Sequence, residues 1–332
     1  MDSSRTMALL LVASVACVAA AGQAPCSGCH EAQRRAWALS MHARSTQDPV
    51  YRAMRAWARE DAGEAAAALC VTCHTVAEAG SELRTRAVTC EVCHRSEVVG
   101  PGRRGLRVQP TAAVAAAAPV EAPHPVRASR DLISGATCLV CHGELRNPHG
   151  VPLCTTGPEA AARPAGAGCL ACHMPDGDHR FPGATPELLR RAAQLVAALD
   201  GREATVTVLN RGAGHALPTG SALRQVRLEV VALGARGEEL ARRELIFARV
   251  LADAAGNAPV PPWRATRVHR DTRLGPFGRR TVRLPLPPGA VRLVARLVYH
   301  RVPPPLVDRL GLAGETLVEP VEMARVEREL GP

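Results

Sequence analysis

Five times in this chain two cysteines stand two residues apart with a histidine directly behind them. The sets are Cys26, Cys29 and His30; Cys70, Cys73 and His74; Cys90, Cys93 and His94; Cys138, Cys141 and His142; and Cys169, Cys172 and His173. Three chemistries use paired cysteines. Disulfides would give the histidines no role. Zinc suits the sixteen residues between Cys73 and Cys90, yet four thiolates already close a tetrahedron and leave the histidines idle. Covalent c-type haem needs all three residues in this order: two thioethers to the haem vinyl groups, then an imidazole on the iron from the next residue. Five sets without exception select the third chemistry.

The sets run from Cys26 to His173, which leaves roughly thirty residues per haem. So short a stretch cannot wrap each macrocycle separately, so the five haems are expected to touch and to form a route for electrons. The short gap between His74 and Cys90 predicts that haems 2 and 3 form an adjacent stacked pair. Only eight residues of 332 are aromatic, and five porphyrins would supply the missing flat apolar bodies. The net charge is +10 and all 41 basic residues are arginine. Arginine clamps carboxylates in bidentate pairs, so it suits the haem propionates. With no basic helix or interleaved aromatic stripe, no nucleic-acid partner is expected.

A low-spin electron-transfer haem takes a second axial ligand, usually His or Met. Five histidines are candidates. His42 is placed on the helix expected after the first set, with Trp37 beside it to pack on a porphyrin. His124 is held between Pro123 and Pro125. His149 lies in the turn-rich stretch NPHGVP, and His179 follows His173 by six residues. His215 stands in GAGHALPTG, whose glycines would let backbone approach a macrocycle and whose Pro218 would stiffen the loop. The competing reading of each is a surface-loop histidine. His269 and His300 are expected to face solvent, and Met41 and Met174 rank below the histidines as ligands. Cys154 has no motif partner: it reads as a buried structural thiol, an unusual ligand or reactive group, or half of an intermolecular disulfide.

Residues 1–22 read as a secretory signal peptide, with one arginine before an apolar run too short to span a membrane. Export to the periplasm or cell exterior follows, with no integral membrane segment in the mature chain; a lipoprotein anchored at Cys17 is the less favoured form. Residues 23–184 form the haem-packed, mainly α-helical and irregular pentahaem domain. Within it, residues 100–123 read as a loop without chemistry. Residues 185–202 read as a linking helix, capped by Thr185 and ended by Gly201. Residues 203–332 show alternating strands (ATVTVLN, RQVRLEVVAL, RELIFARVL, RRTVRLPLP and VRLVARLVYHRV) and are expected to form an antiparallel β-sandwich.

CSGCHEAQRRAWALSMHA resembles the N-terminal segment of the cytochrome c-554-like multihaem family, in which a CxxCH is followed by a W-x-x-S-x-H helix. CLACHMPDGDHRF resembles the last haem motif of related cytochromes. NRGAGHALPTG resembles a segment of exported multihaem cytochromes with a C-terminal β-domain. The resemblance implies that His42, His179 and His215 are distal ligands. His124 and His149 rest on the reading of the residues alone.

The sequence thus predicts an exported pentahaem c-type cytochrome that moves electrons through closely packed bis-histidine haems, exchanging them with donor and acceptor proteins. The rival is a multihaem reductase of a small nitrogen or sulfur oxyanion, which needs one iron with an open position; a lysine-ligated haem is excluded because the chain has no lysine. A third reading is a subunit of a haem filament or respiratory complex, so an oligomer is open.

Overall fold

A computed structural model describes residues 26–75, 87–98, 106–108, 113–118, 120–161 and 168–331. The expected signal peptide lies outside these residues. The helices, in chain order, are α1 (Glu31–Ala38), α2 (Pro49–His74), α3 (Cys90–His94), α4 (Arg130–Ser134), α5 (Ala136–His142), α6 (Thr156–Ala161), α7 (Cys169–His173), α8 (Pro186–Ala192) and α9 (Pro304–Arg309). Four of the five Cys-His sets close a helix: α2, α3, α5 and α7 each end on the histidine. The first forms a helical turn in which the His30 N–H donates to the Cys26 carbonyl, 3.0 Å. One helical turn puts residues i, i+3 and i+4 on one face, so both thiols and the imidazole of each set point the same way.

The chain divides into two compact units that alternate in sequence. The first comprises Met1–Tyr51, Cys70–Cys141 and Ala167–Pro182; the second comprises Arg52–Leu69, His142–Gly166 and Gly183–Pro332. The simple cut near residue 184 read from sequence is therefore too coarse: two stretches lying between haem motifs belong with the sheet-rich part.

In the first unit the strands are short. β1 (Ser96–Val98) pairs antiparallel with β2 (Leu106–Val108), and β3 (Val114–Ala116) pairs parallel with β4 (Val126–Ala128). Its described residues bury only three apolar side chains, Val92, Ala115 and Val140, while Leu39, Val120 and Ile133 are more than half exposed.

The second unit builds a large core. After the small β5 (Leu145–Arg146) and β6 (Pro152–Cys154) come β7 (Ala193–Asp200), β8 (Glu203–Asn210), β9 (Gln225–Gly234), β10 (Glu239–Ala252), β11 (Arg267–Asp271), β12 (Arg279–Pro285), β13 (Ala290–His300) and β14 (Val321–Glu329). They form a five-stranded sheet, β11-β10-β9-β13-β14, and a three-stranded sheet, β12-β8-β7. Every pairing in both is antiparallel. Val206 and Val208 from the small sheet share one apolar cluster with Val226, Leu228, Phe247, Leu293 and Leu297 from the large one.

The linking helix of residues 185–202 is corrected. Thr185 does cap a helix, accepting from the Leu188 N–H, but α8 stops at Ala192 and residues 193–200 are strand β7. The alanine-rich run favours helix by propensity, and burial of Ala193 and Leu195 overrides it. Asp200 pairs with Glu203, so Gly201 and Arg202 make a two-residue hairpin turn, with Gly201 at φ +53°. Glycine at the first position of a two-residue turn suits the positive φ that such hairpins require.

His300 is also corrected: it is buried at the end of β13, where burial and then the Arg227 charge lower its pKa. His269 is exposed, as expected.

Inside the second unit, α2 breaks at Ala62 and Gly63, the latter at φ +79°, a conformation only glycine adopts freely. Just before the break, Asp61 accepts from the Trp263 indole N–H at 2.7 Å and from the Arg264 guanidinium at 2.6 and 2.7 Å. Trp57 packs edge-on against Trp263, centroids 5.0 Å apart, with the Arg309 guanidinium 4.2 Å above its ring. The Arg264 and then the Trp263 hydrogen bonds hold the Asp61 carboxyl at about 2, below its ordinary 3.8. A carboxylate depressed in this way stabilises the fold above its ordinary pKa and loses that contribution as pH falls towards its folded value. The protein should therefore lose stability between about pH 4 and about pH 2, and Asp61→Asn should flatten that slope. Denaturant titrations across this range check it; parallel slopes for both proteins would count against the assignment.

Candidate functional site

The first unit brings histidines from distant segments close together. The His94 and His179 rings lie with centroids 6.1 Å apart and planes only 16° from parallel. The His30 and His124 centroids are 6.2 Å apart, with the planes tilted by 51°. Two imidazoles bound through Nε2 to opposite sides of one metal, with metal–nitrogen bonds of about 2 Å, hold their centroids about 6 Å apart. Both separations have this value. Each pair joins a CxxCH histidine to a histidine expected as a distal ligand.

Hydrogen bonds select which ring nitrogen is available. A backbone carbonyl only accepts, so a ring nitrogen bonded to one carries the proton. The Nδ1–H of His74 donates to the Ser45 carbonyl at 2.9 Å, that of His94 to Ala115 at 2.8 Å, and that of His173 to Pro182 at 2.6 Å. Among the proposed distal residues, His179 donates to the Gly177 carbonyl at 2.7 Å, His215 to Ala216 at 2.9 Å and, more loosely, His124 to Pro125 at 3.4 Å. In all six the proton sits on Nδ1 and the lone pair on Nε2, which is the tautomer that metal-ligating histidines adopt. Burial also lowers the pKa of His42 and of His74 and favours the neutral ring; for His74 the bond to Ser45 opposes this.

Several positioning groups escaped the sequence reading. Ala115, which accepts from His94, lies in the stretch 100–123 that was expected to carry no chemistry. Ser45 accepts from the His74 ring through its carbonyl while its hydroxyl donates to the His74 carbonyl at 2.7 Å. The edge of Phe181 packs against both His42 (4.8 Å) and His179 (5.7 Å) from a left-handed backbone, φ +47°. For a bulky residue that conformation stores strain, and the ring contacts hold it there. His42 itself sits in a turn after α1 rather than on the helix. Ser40 is buried and its hydroxyl accepts from the Ala43 N–H, which competes with further helical bonding. Trp37 is fixed by its indole N–H on the Val88 carbonyl, 2.9 Å.

The thiols of different sets feel one another. Burial raises the Cys90 thiol first, and the nearby Cys26 and Glu91 add to the shift. Burial pushes the Cys93 thiol up to about 12, with Cys138 and Cys90 adding to the shift. Cys138 in turn feels Cys169. The third set thus neighbours the first and the fourth, and the fourth neighbours the fifth.

His149 and His215 belong to the second unit. His149 is exposed on a turn anchored by buried Asn147, whose side chain donates to the Pro262 and Ala265 carbonyls and accepts from the His149 and Val151 N–H groups. The His215 loop is fixed on both flanks: Asn210 donates to the His215 carbonyl at 2.9 Å, and Leu217 and Leu274 exchange backbone bonds. Its glycine serves a purpose other than the expected one. A Cβ on Gly212 would lie 1.8 Å from the Arg191 carbonyl oxygen, so the close approach is to the end of α8. Cys154 is half-buried, with its thiol 3.4 Å from the Thr156 hydroxyl.

These residues fit haem. Each iron asks for only two protein ligands, and close histidine pairs are what the first unit offers; among the described residues no three His, Cys, Asp or Glu side chains converge as a zinc site requires. The three-residue apolar core leaves room for large flat apolar groups. Arg127 donates to the Ser96 carbonyl, two residues beyond His94, while its buried Nε has no partner, and a propionate would satisfy it.

The comparisons agree. The model of the family described as cytochrome c554 and c-prime matches residues 25–95. The crystal structure of a penta-haem cytochrome c552 from Thermochromatium tepidum is similar at 27% identity and a TM-score of 0.77, covering 92% of this chain and 97% of its own. An endonuclease/exonuclease/phosphatase from Beutenbergia cavernae reaches a TM-score of only 0.17, at 21% identity over 42% of this chain and 23% of its own, and carries no argument. No curated protein matches.

Replacing Arg127 with Gln removes a cation from beside the His94 set and so favours the oxidised, more positive iron. The expected result is a lower midpoint potential for one haem with its low-spin spectrum intact. A spectroelectrochemical titration reads this; an unchanged titration curve would remove Arg127 from the site.

Proposed function

We propose that this chain is an exported c-type cytochrome with five covalently bound haems, each iron held between two histidines, and that it carries electrons between partner proteins. The observation that carries the reading is the close imidazole pairs, His94 with His179 and His30 with His124, at a centroid separation that one shared metal atom would allow. His74, His142 and His173 are the remaining proximal ligands. His42, His149 and His215 are the remaining distal ones.

The haems, when bound, supply reversible one-electron chemistry at iron. The chain's own residues do the rest. The ten motif cysteines tether the rings. Carbonyls of Ser45, Ala115 and Pro182 orient the proximal imidazoles and present Nε2 to the metal. The neutral, partly buried His42 and His74 keep charge low around the metal, and Arg127 offers its unpartnered Nε to a propionate. The electrostatic influence of the thiols of the first, third, fourth and fifth sets on one another supports a row of neighbouring centres, and the short gap after His74 supports the second lying beside the third. Two antiparallel sheets sharing one core support the β-sandwich reading of the second unit. Export rests on the N-terminal signal pattern. No helix among the described residues is long and apolar enough to cross a membrane.

Electron paramagnetic resonance of the oxidised holoprotein, with haem content by pyridine haemochrome, tests the proposal. Five haems per chain, all low-spin, are expected. His179→Ala and His124→Ala should each turn one different haem high-spin. A wild-type protein with one high-spin, ligand-accepting haem would defeat the all-bis-histidine reading and point to oxyanion reduction instead.

A further inference from the structure

Glu159, on α6, is a carboxylate only 11% exposed at its side chain, and the assignment of haem ligands gives it no role. It is heavily bonded. Its Oε2 accepts from the Ala216 N–H at 3.2 Å and from the Thr219 hydroxyl. Its Oε1 accepts from the Arg273 guanidinium at 2.6 Å and from the Thr155 hydroxyl. Thr156, also on α6, bonds the Thr219 hydroxyl at 2.9 Å. Arg273 and nearby Arg249 are themselves buried and share Asp271, at 2.9 and 3.2 Å. Burial works to raise the Glu159 carboxyl, yet the bonds from Thr155, Thr219 and Arg273 outweigh it and hold it ionised.

A network of two acids and two arginines, buried except at the more exposed Asp271, is weak support for stability, because desolvating the charges offsets their attraction. Its geometry has a different value. Both bonds to Oε2 come from the stretch directly after His215, and the first comes from the very next residue. The carbonyl of that same residue, Ala216, holds the His215 Nδ1–H. A shift at the Ala216 peptide therefore moves the imidazole twice, through the chain and through the ring hydrogen bond.

We propose that Glu159 is a positioning residue that fixes the 215–219 loop so that His215 presents Nε2 to its haem iron. The inference rests on the reading of His215 as a distal ligand. Holding the donor in place before the metal arrives lowers the cost of forming the sixth bond, as preorganised sites do generally.

The test uses holoprotein variants read by electron paramagnetic resonance, by redox titration and by thermal melting. His215→Ala comes first. Conversion of one haem from low-spin to high-spin supports the ligand reading; five low-spin haems would overturn both that reading and the inference. Given that conversion, Glu159→Ala should shift the spin state or the midpoint potential of the same haem and leave the other four unchanged. Glu159→Gln keeps an acceptor for Ala216 and Thr219 and should restore the low-spin signal, although it loses the ion pair to Arg273 and melts earlier. Glu159→Ala that melts earlier with five unaltered low-spin signals and unaltered potentials would show a merely structural role and overturn the inference. If Glu159→Ala yields no holoprotein, Thr219→Val removes one donor without changing charge and must give the same single-haem perturbation.

Discussion

The organisation of this protein turns on one shortage: the unit that carries most of the cysteine-histidine sets has three buried apolar side chains among its described residues. Apolar burial is the main favourable term in folding, at about 25 cal/mol per Å² removed from water. Three small or medium side chains cannot offset the ordering of so much backbone. On the proposed reading, covalently tethered macrocycles do so, and the exposed Leu39, Val120, Ile133 and Leu139 are surfaces that a flat apolar group would cover. The protein would then fold around its cofactors here, with the helical turns ending in histidine as the points of attachment.

A second economy follows. The segment from His173 to Pro182 serves two sets at once. It begins with the proximal histidine of the fifth set and holds that ring with its own last carbonyl, while its His179 faces His94 of the third. His124, between the third and fourth sets, faces His30 of the first. On the proposed assignment, distal ligands come from segments that belong, by sequence, to other haems. Each such crossing closes a long loop, whose entropic cost grows only slowly with length. Sites built in this way would depend on one another, which favours one fixed arrangement of adjacent centres.

Local chemistry was legible in the sequence and long-range pairing was not. The CxxCH sets and the five long strands could be read because each depends on residues close in the chain: i, i+3 and i+4 on one helical face, or alternation along one strand. Strand β7 was missed because alanine favours helix when judged alone, while its partner β8 and the Asp200–Gly201 turn decide the matter. His300 misled for a related reason. The last four residues of its strand, Leu297 to His300, are all buried, so both faces are covered there and alternation no longer distinguishes an outer face. The carbonyls of Ser45, Ala115 and Pro182 could not have been found at all, since any residue supplies a carbonyl and side-chain identity is silent about it.

The two units solve the same positioning problem by opposite means. In the first, rings are held by backbone carbonyls in short loops, and little apolar packing backs them up. In the second, the sheets supply a dense core of their own, so the structure can tolerate the desolvation of Glu159, Asp271, Arg249 and Arg273 in order to fix one loop. Asn210 adds to this from the end of β8, donating to the carbonyls of His215, Leu274 and Gly275 from a fully buried position. A histidine gripped at its own carbonyl, at the next N–H and at its ring nitrogen has almost no freedom left to lose on ligation. On the proposed reading of His215 as a ligand, that rigidity matters because a ring that stays in place through a change of iron charge adds little to the cost of moving the electron.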